Sequence, residues 1–497
     1  IIMTGCANAQ TDLPAEQSPG SSRPDISEPE ASIPIPERIE TMDALMALVN
    51  RNHPAISKPQ IVFDDYVHSS PGEPFDIFSY SEGKEYDETA ILTAEQAHTD
   101  IDILFQALQS TYGPYYHFGG NEVFQKAKDD ILTECMAKEN LSAGELSTLL
   151  IERLAFIRDA HFTVNNTRFS EAMKAHIYNQ GSAYLGAGEL FVTADGQRVV
   201  TSIAGVPPKE MLRLSISSEG EVVYYPVLLL ENGVDPEPLE VEYTDDTRET
   251  LIPPPWESGY EESEITVELR DRQGIPVLFA RNMYFDQAPG GEDGQAFLHY
   301  AEQLREAPVS MIDLRSNGGG NGILPLKWLS AFAGGQVTGN HLSIQRWSEE
   351  EMLAYGQNTE NQHYVPVEEM QQYEGTAPIN EQYMKNGDLP DTFVPNDSLL
   401  IVLTGKNTAS AAEVFVDAVV NVENTLLIGH NTFGMLISNA YTWMVLPESG
   451  IAIQLGSDLR VFADGSFEEY VGFSPDLWVS GADAEDLAVK LVQNLMT

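Results

Sequence analysis

From Thr93 onward, apolar residues recur at helical spacing. Thr93 and Gln96 have the spacing of a capping box, and Ile101, Leu104, Phe105 and Leu108 then share one face of a predicted helix. Ser142 and Glu145 open a second helix, with Leu146, Leu149, Leu150, Leu154 and Ile157 as its stripe up to Arg158. Residues 93–169 therefore predict a helical cap region. Across 170–275 the runs shorten and Gly, Pro and Asp punctuate segments such as Val199–Ile203 and Val222–Tyr225, which predicts a small β-rich accessory domain. Beyond 275, short apolar strands (Ile275–Met283, Val309–Leu314, Leu399–Thr404, Thr425–Ile428) alternate with helices near 323–333 and 410–421. That alternation predicts βαβ units and an α/β catalytic domain over 276–490. It is interrupted by a polar, Tyr- and Glu-rich insertion or lid at about 336–398. Ahead of the helices, 41–92 reads as an irregular lead-in, and residues 7–40, rich in Pro, Ser, Glu, Ala and Gln, as a disordered tether.

Composition narrows the function. The 497 residues are 42% hydrophobic and 21% charged, the usage of folded protein. Asp plus Glu number 76 against 27 Lys plus Arg, a net charge of −49, which repels phosphate backbones and argues against nucleic acid as a partner. Two cysteines exclude a disulfide framework. Cys6, in Met3-Thr4-Gly5-Cys6 before a polar tract, resembles the end of a bacterial lipoprotein signal peptide with its acylated cysteine. Cys135 reads as a buried thiol. No stretch approaches the ~18–20 apolar residues that span a bilayer, so any membrane anchoring is expected through lipid on Cys6, outside the cytoplasmic membrane.

Three strand-exit loops are candidates for chemistry, since open α/β sheets bind ligands beyond the carboxyl ends of their strands. The first, Asp313-Leu314-Arg315-Ser316-Asn317-Gly318-Gly319-Gly320, brings bare backbone N–H groups close to a substrate. It lacks the Gly-Lys-Ser/Thr ending of a phosphate loop, Lys327 lying too far on, and a tight turn without chemistry explains it equally well. The second, Thr404-Gly405-Lys406-Asn407-Thr408-Ala409-Ser410-Ala411-Ala412-Glu413, puts Ser410 at a helix start. There it serves as an N-cap or as a nucleophile with the Ala411 N–H free to donate to an oxyanion. The third is Gly429-His430-Asn431-Thr432-Phe433-Gly434-Met435.

In this order the three motifs resemble the C-terminal processing (tail-specific) peptidase family, which includes the tricorn core protease; the resemblance runs from about 95 to 490. It implies a crotonase-like α/β core and a serine protease. One style of the family uses a lysine base directly after Thr-Phe-Gly, but Met435 stands there and cannot accept a proton, while Lys406 merely precedes the serine. The tricorn-like style uses a histidine in an Asp-Gly-His-Thr-like element, which Arg158-Asp159-Ala160-His161-Phe162-Thr163 matches at His161. It also uses a glutamate in a Glu-Gly-x-Gly-Val-x-Pro-Asp-like element, which Glu469-Tyr470-Val471-Gly472-Phe473-Ser474-Pro475-Asp476 matches at Glu469, with Tyr470 as a departure and Glu468 as a weaker neighbour.

The resemblance implies a triad of Ser410, His161 and Glu469, with Glu469 orienting the imidazole. Oxyanion donors are expected from Ala411 and from Gly318 or Gly319, the substrate is a peptide or protein, and no metal or cofactor is called for. His430 stays open as an alternative base or substrate contact. Two other readings remain open: a binding or scaffold protein that keeps the fold without turnover, and an esterase or acyl transferase using the same triad.

Overall fold

A computed structural model describes residues 35–49, 75–255, 265–283, 292–345, 393–439, 442–462 and 465–496. Cys6, nearly all of the expected tether and most of the expected insertion lie outside the described residues. The rest is mixed α/β, organised on one large sheet.

The strands of that sheet are β1 (Met173–Ile177), β2 (Tyr184–Ala187), β3 (Leu190–Thr193), β4 (Leu212–Ile216), β5 (Val222–Glu231), β6 (Val267–Arg272), β7 (Ile275–Ala280), β8 (Val309–Asp313), β9 (Leu399–Thr404), β10 (Thr425–Gly429) and β11 (Leu477–Trp478). Their order is β6-β7-β8-β9-β10-β11-β4-β5-β2-β3, with β1 also on β5. The run from β7 to β4 is parallel, and both flanks are antiparallel. Residues 170–275 thus supply β1 to β6 to the same sheet as the core strands, meeting them at the Trp478–Ser215 pair and along β6–β7.

The helices are α1 (Met42–Val49), α2 (Ala94–Thr111), α3 (Gly120–Met136), α4 (Ala143–Arg153), α5 (Glu292–Arg305), α6 (Ile323–Ala333), α7 (Ala411–Val419) and α8 (Ala484–Leu495). Strands β8, β9 and β10 are buried at every residue and mainly apolar because both sheet faces are covered. Ile312, Leu400, Val402 and Leu427 pack on α5, α6 and α7 with Phe297, Trp328, Phe332 and Phe415. Met311, Ile401, Leu403, Leu426 and Ile428 point the other way, onto α8 and onto Met42, Leu45 and Met46 of α1. The lead-in thus contains an amphipathic helix.

Thr93 and Ser142 both close full capping boxes, as their spacing predicts. The helix opened by Ser142 stops at Arg153, short of the expected Arg158, and α3 lies between the two predicted helices. α2, α3 and α4 share one core with Met444, Leu446, Ile451, Ile453 and Leu455 from near the C-terminus. Cys135 is a free, buried thiol in α3, its pKa raised chiefly by burial. Among the described residues no helix is long and apolar enough to cross a membrane.

Candidate active site

Ser410 sits at the mouth of α7, where the chain leaves β9 and turns sharply. Each residue before it is pinned: Thr408 Oγ1 donates to the Leu314 carbonyl at 2.7 Å and the Ala409 N–H to the Asn317 carbonyl at 3.0 Å. Ser410 itself has φ 54° and ψ −116°, a conformation that costs a non-glycine residue about 1–3 kcal/mol. Glu413, one turn on, holds it there. Glu413 Oε2 accepts the N–H groups of Ser410 at 3.0 Å and Met435 at 2.8 Å, while Oε1 accepts the Thr432 hydroxyl at 2.6 Å and the Gly434 N–H at 2.8 Å. Burial pushes the Glu413 carboxyl up to about 7 against the pull of these donors.

His161 arrives from 249 residues earlier, and its Nε2 lies 3.1 Å from Ser410 Oγ. Its loop follows α4 and is anchored by Phe162, buried against Tyr112 and Phe169, and by the strand Thr163–Val164, which pairs with Ile453 and Gln454. The imidazole is 1% exposed, and burial, with Arg460 and Arg168 next, pushes its pKa down to about 3. The resting ring is therefore neutral at pH 7.

Glu469 is also buried here, but it does not orient the ring directly. Its Oε1 accepts the Ala160 N–H at 2.8 Å, and its Oε2 accepts those of Leu436 at 3.1 Å and Ile437 at 2.9 Å. Backbone donors occupy both of its oxygens, and His161 Nδ1 has no hydrogen-bond partner among the described residues. Burial, then the charge of Asp159, raises the Glu469 pKa.

The glycine loop lies against Ser410. A Cβ on Gly319, whose φ is 99°, would stand 2.7 Å from Ser410 Cβ and 3.0 Å from the Ala411 nitrogen, so only glycine fits. The Gly319 N–H is committed to Asn317 Oδ1 at 3.0 Å, which corrects its expected role as an oxyanion donor. Gly318 is exposed, with open space around its Cα, and presents its backbone beside the same turn.

His430 ends up elsewhere. It follows β10, its N–H donating to the Thr404 carbonyl at 3.1 Å, and its buried ring is pushed down to about 4 by burial and then by His176, Lys174 and Lys406. Met435, at the position of the family's lysine, accepts a long contact from Arg168 to its sulfur at 3.7 Å. Two residues inside the quoted motifs had no role assigned from sequence. Glu413 was readable as the fourth residue of a Ser-x-x-Glu capping pattern, and Asp159 as an acidic residue two before His161 able to form an Asx turn. Among the described residues no group of three or more His, Cys, Asp or Glu gathers as a metal site.

Residues 284–479 match the sequence profile of peptidase family S41. Comparison with curated protein sequences gives no match. Similar solved structures include mature CPAF, at 14% identity over 81% of this chain and 98% of that one with a TM-score of 0.45. A photosystem II D1 C-terminal processing protease is similar at 16% identity over 81% and 97%, TM-score 0.36. The tricorn protease is similar at 12% identity over 81% of this chain and 37% of that one, TM-score 0.36. Over residues 284–479 the chain is similar to peptidase family S41, and the match supports a serine-type peptidase.

Proposed function

We propose that the protein is an endopeptidase on a crotonase-like core, working through Ser410 as nucleophile, His161 as base and an acyl-enzyme intermediate. The observation that carries this reading is the 3.1 Å approach of His161 Nε2 to Ser410 Oγ, between groups that share no local sequence reason to meet. His161 takes the hydroxyl proton as Oγ attacks a peptide carbonyl, returns it to the leaving amine, and then activates the water that releases the acyl group. A ring that is neutral at rest is ready to accept a proton at any pH near neutrality, and negative charge building on the substrate oxygen favours the imidazolium as the reaction proceeds. The Ala411 N–H, at the positive end of α7, and the Gly318 N–H are the donors for that oxygen, each worth about 3 kcal/mol of barrier. Glu469 supports the histidine's loop through Ala160 and the facing chain at Leu436–Ile437.

Peptide or protein chains are the substrates on this reading, and a lipid on Cys6 would hold the enzyme at the outer face of a bacterial cytoplasmic membrane. A fluorophosphonate probe tests the chemistry. Covalent label is expected on the peptide containing Ser410, lost in Ser410→Ala and in His161→Ala with both proteins still folded. Unchanged peptide hydrolysis by pure Ser410→Ala protein would refute the assignment.

A further inference from the structure

One buried carboxylate beside the catalytic pair is not used in the mechanism above. Asp159 is 0% exposed. Its Oδ1 accepts the backbone N–H of His161 at 2.9 Å, and its Oδ2 accepts both the Tyr112 hydroxyl at 2.8 Å and the Ser438 hydroxyl at 2.7 Å. It therefore ties together the end of α2, the residue that carries the imidazole and the chain segment facing that imidazole.

Ser438 matters because its hydroxyl ties to Asp159 the same chain segment whose Leu436 and Ile437 N–H groups are held by Glu469. Among the described residues the resting Nδ1 has no hydrogen-bond partner, and catalytic contacts commonly tighten only when charge develops. Glu469 accepts three backbone N–H groups, and among the described residues no carboxylate stands at hydrogen-bond distance from Nδ1.

We infer that Asp159 is the positioning residue for His161, acting through the His161 N–H and, through the Ser438 hydroxyl, on the neighbouring chain segment. The inference rests on the proposed role of His161 as base. It explains why the chain places an acid two residues before the histidine: the Asx turn at Asp159 sets the backbone and its second oxygen holds the segment at Ser438.

The test uses the full chain with Asp159→Asn, Ser438→Ala and Glu469→Gln, each checked for folding by circular dichroism. Ring tautomer and nitrogen shifts of His161 are read by ¹⁵N NMR, and reactivity by the second-order rate of fluorophosphonate labelling. Asp159→Asn should slow labelling on the order of 10- to 100-fold with KM for peptide nearly unchanged, and should move the Nδ1 resonance. Ser438→Ala cuts one tie of Asp159 and leaves the other, to the His161 N–H, so a smaller loss in the same direction is expected. If Asp159→Asn fails to fold, Ser438→Ala decides the matter. Labelling within twofold of the parent with unmoved ring resonances, or a Nδ1 resonance that responds to Glu469→Gln alone, would overturn the inference. A parent protein that is not labelled at Ser410 would instead count against the proposed mechanism, while the ring resonances would still report whether Asp159 positions the imidazole.

Discussion

Burying an imidazole beside two guanidinium groups has a consequence measurable without substrate. In the unfolded chain His161 titrates near 6.5, and in the folded protein near 3, so between those values the unfolded state binds more protons. Stability from this residue is complete above about pH 6.5 and is lost as the pH falls toward 3, on the order of 5 kcal/mol over the whole window. Asp159 and Glu469, whose pKa values are raised by burial, have the opposite slope and are stabilised by acid. Comparing the parent with His161→Gln isolates the histidine, because both acids remain in each protein. Urea unfolding at pH 7 and pH 4.5 should show the parent losing about 2 kcal/mol more than the variant. Equal losses would mean that the ring is hydrated enough to charge freely. The residue identities at this site were legible because Ser410 and His161 sit in short motifs. What Glu469 and Asp159 bind was not, since their partners are backbone N–H groups and hydroxyls up to 309 positions away, which no local pattern encodes.

Elements with local signals were the readable ones. Thr93 is the clearest: its Oγ1 accepts the Gln96 N–H at 3.2 Å, and Gln96 Oε1 accepts the Thr93 N–H at 3.0 Å. Thr93→Ala removes one arm of this box and should lower stability by about 1 kcal/mol without affecting labelling of Ser410, as chemical denaturation would show. A loss of reactivity instead would mean that the start of α2 is coupled to Tyr112 at its far end, and so to Asp159. β8, β9 and β10 were equally readable, because strands covered on both faces carry mainly apolar residues without the alternation of a half-exposed strand. α3 was not, for it begins after Gly119 at φ 101° with no side-chain cap and carries a thin stripe of Phe124, Ala127, Ile131 and Cys135. α1 is short, and its apolar positions gain meaning only against β7 to β10. Sheet membership of residues 170–275 was beyond local reading too: β4 joins β11 through a single pair, and alternation within a strand does not name its neighbour.

At the scale of the molecule, the pairing of His161 with Ser410 depends on a seam between the helical region and the chain near the C-terminus. Asp100 in α2 accepts the N–H groups of Glu448 and Ser449, the Gly113 N–H donates to the Gly456 carbonyl at 2.9 Å, and Thr163–Val164 extends the hairpin of Thr442–Val445 and Ala452–Leu455. The profile of the peptidase family begins at residue 284, so His161 lies outside it and is delivered across this seam. The forces on the seam are not all attractive, because the whole chain carries a net charge of −49. Self-repulsion on that scale opposes compaction, and it acts over a Debye length of about 30 Å in 0.01 M salt but only about 8 Å at 0.15 M. Local ion pairs such as Arg272 with Glu485 pull the other way, but they are short-ranged and partly exposed, and such pairs are worth about 0–1 kcal/mol each. Repulsion summed over the surface outweighs them. The thermal midpoint should therefore rise between about 0.01 M and about 0.15 M sodium chloride, and labelling of Ser410 at a temperature just below the low-salt midpoint should recover in step with it. A midpoint that falls with added salt would show that the few cations, held in specific pairs, contribute more to the fold than the excess of carboxylates takes away.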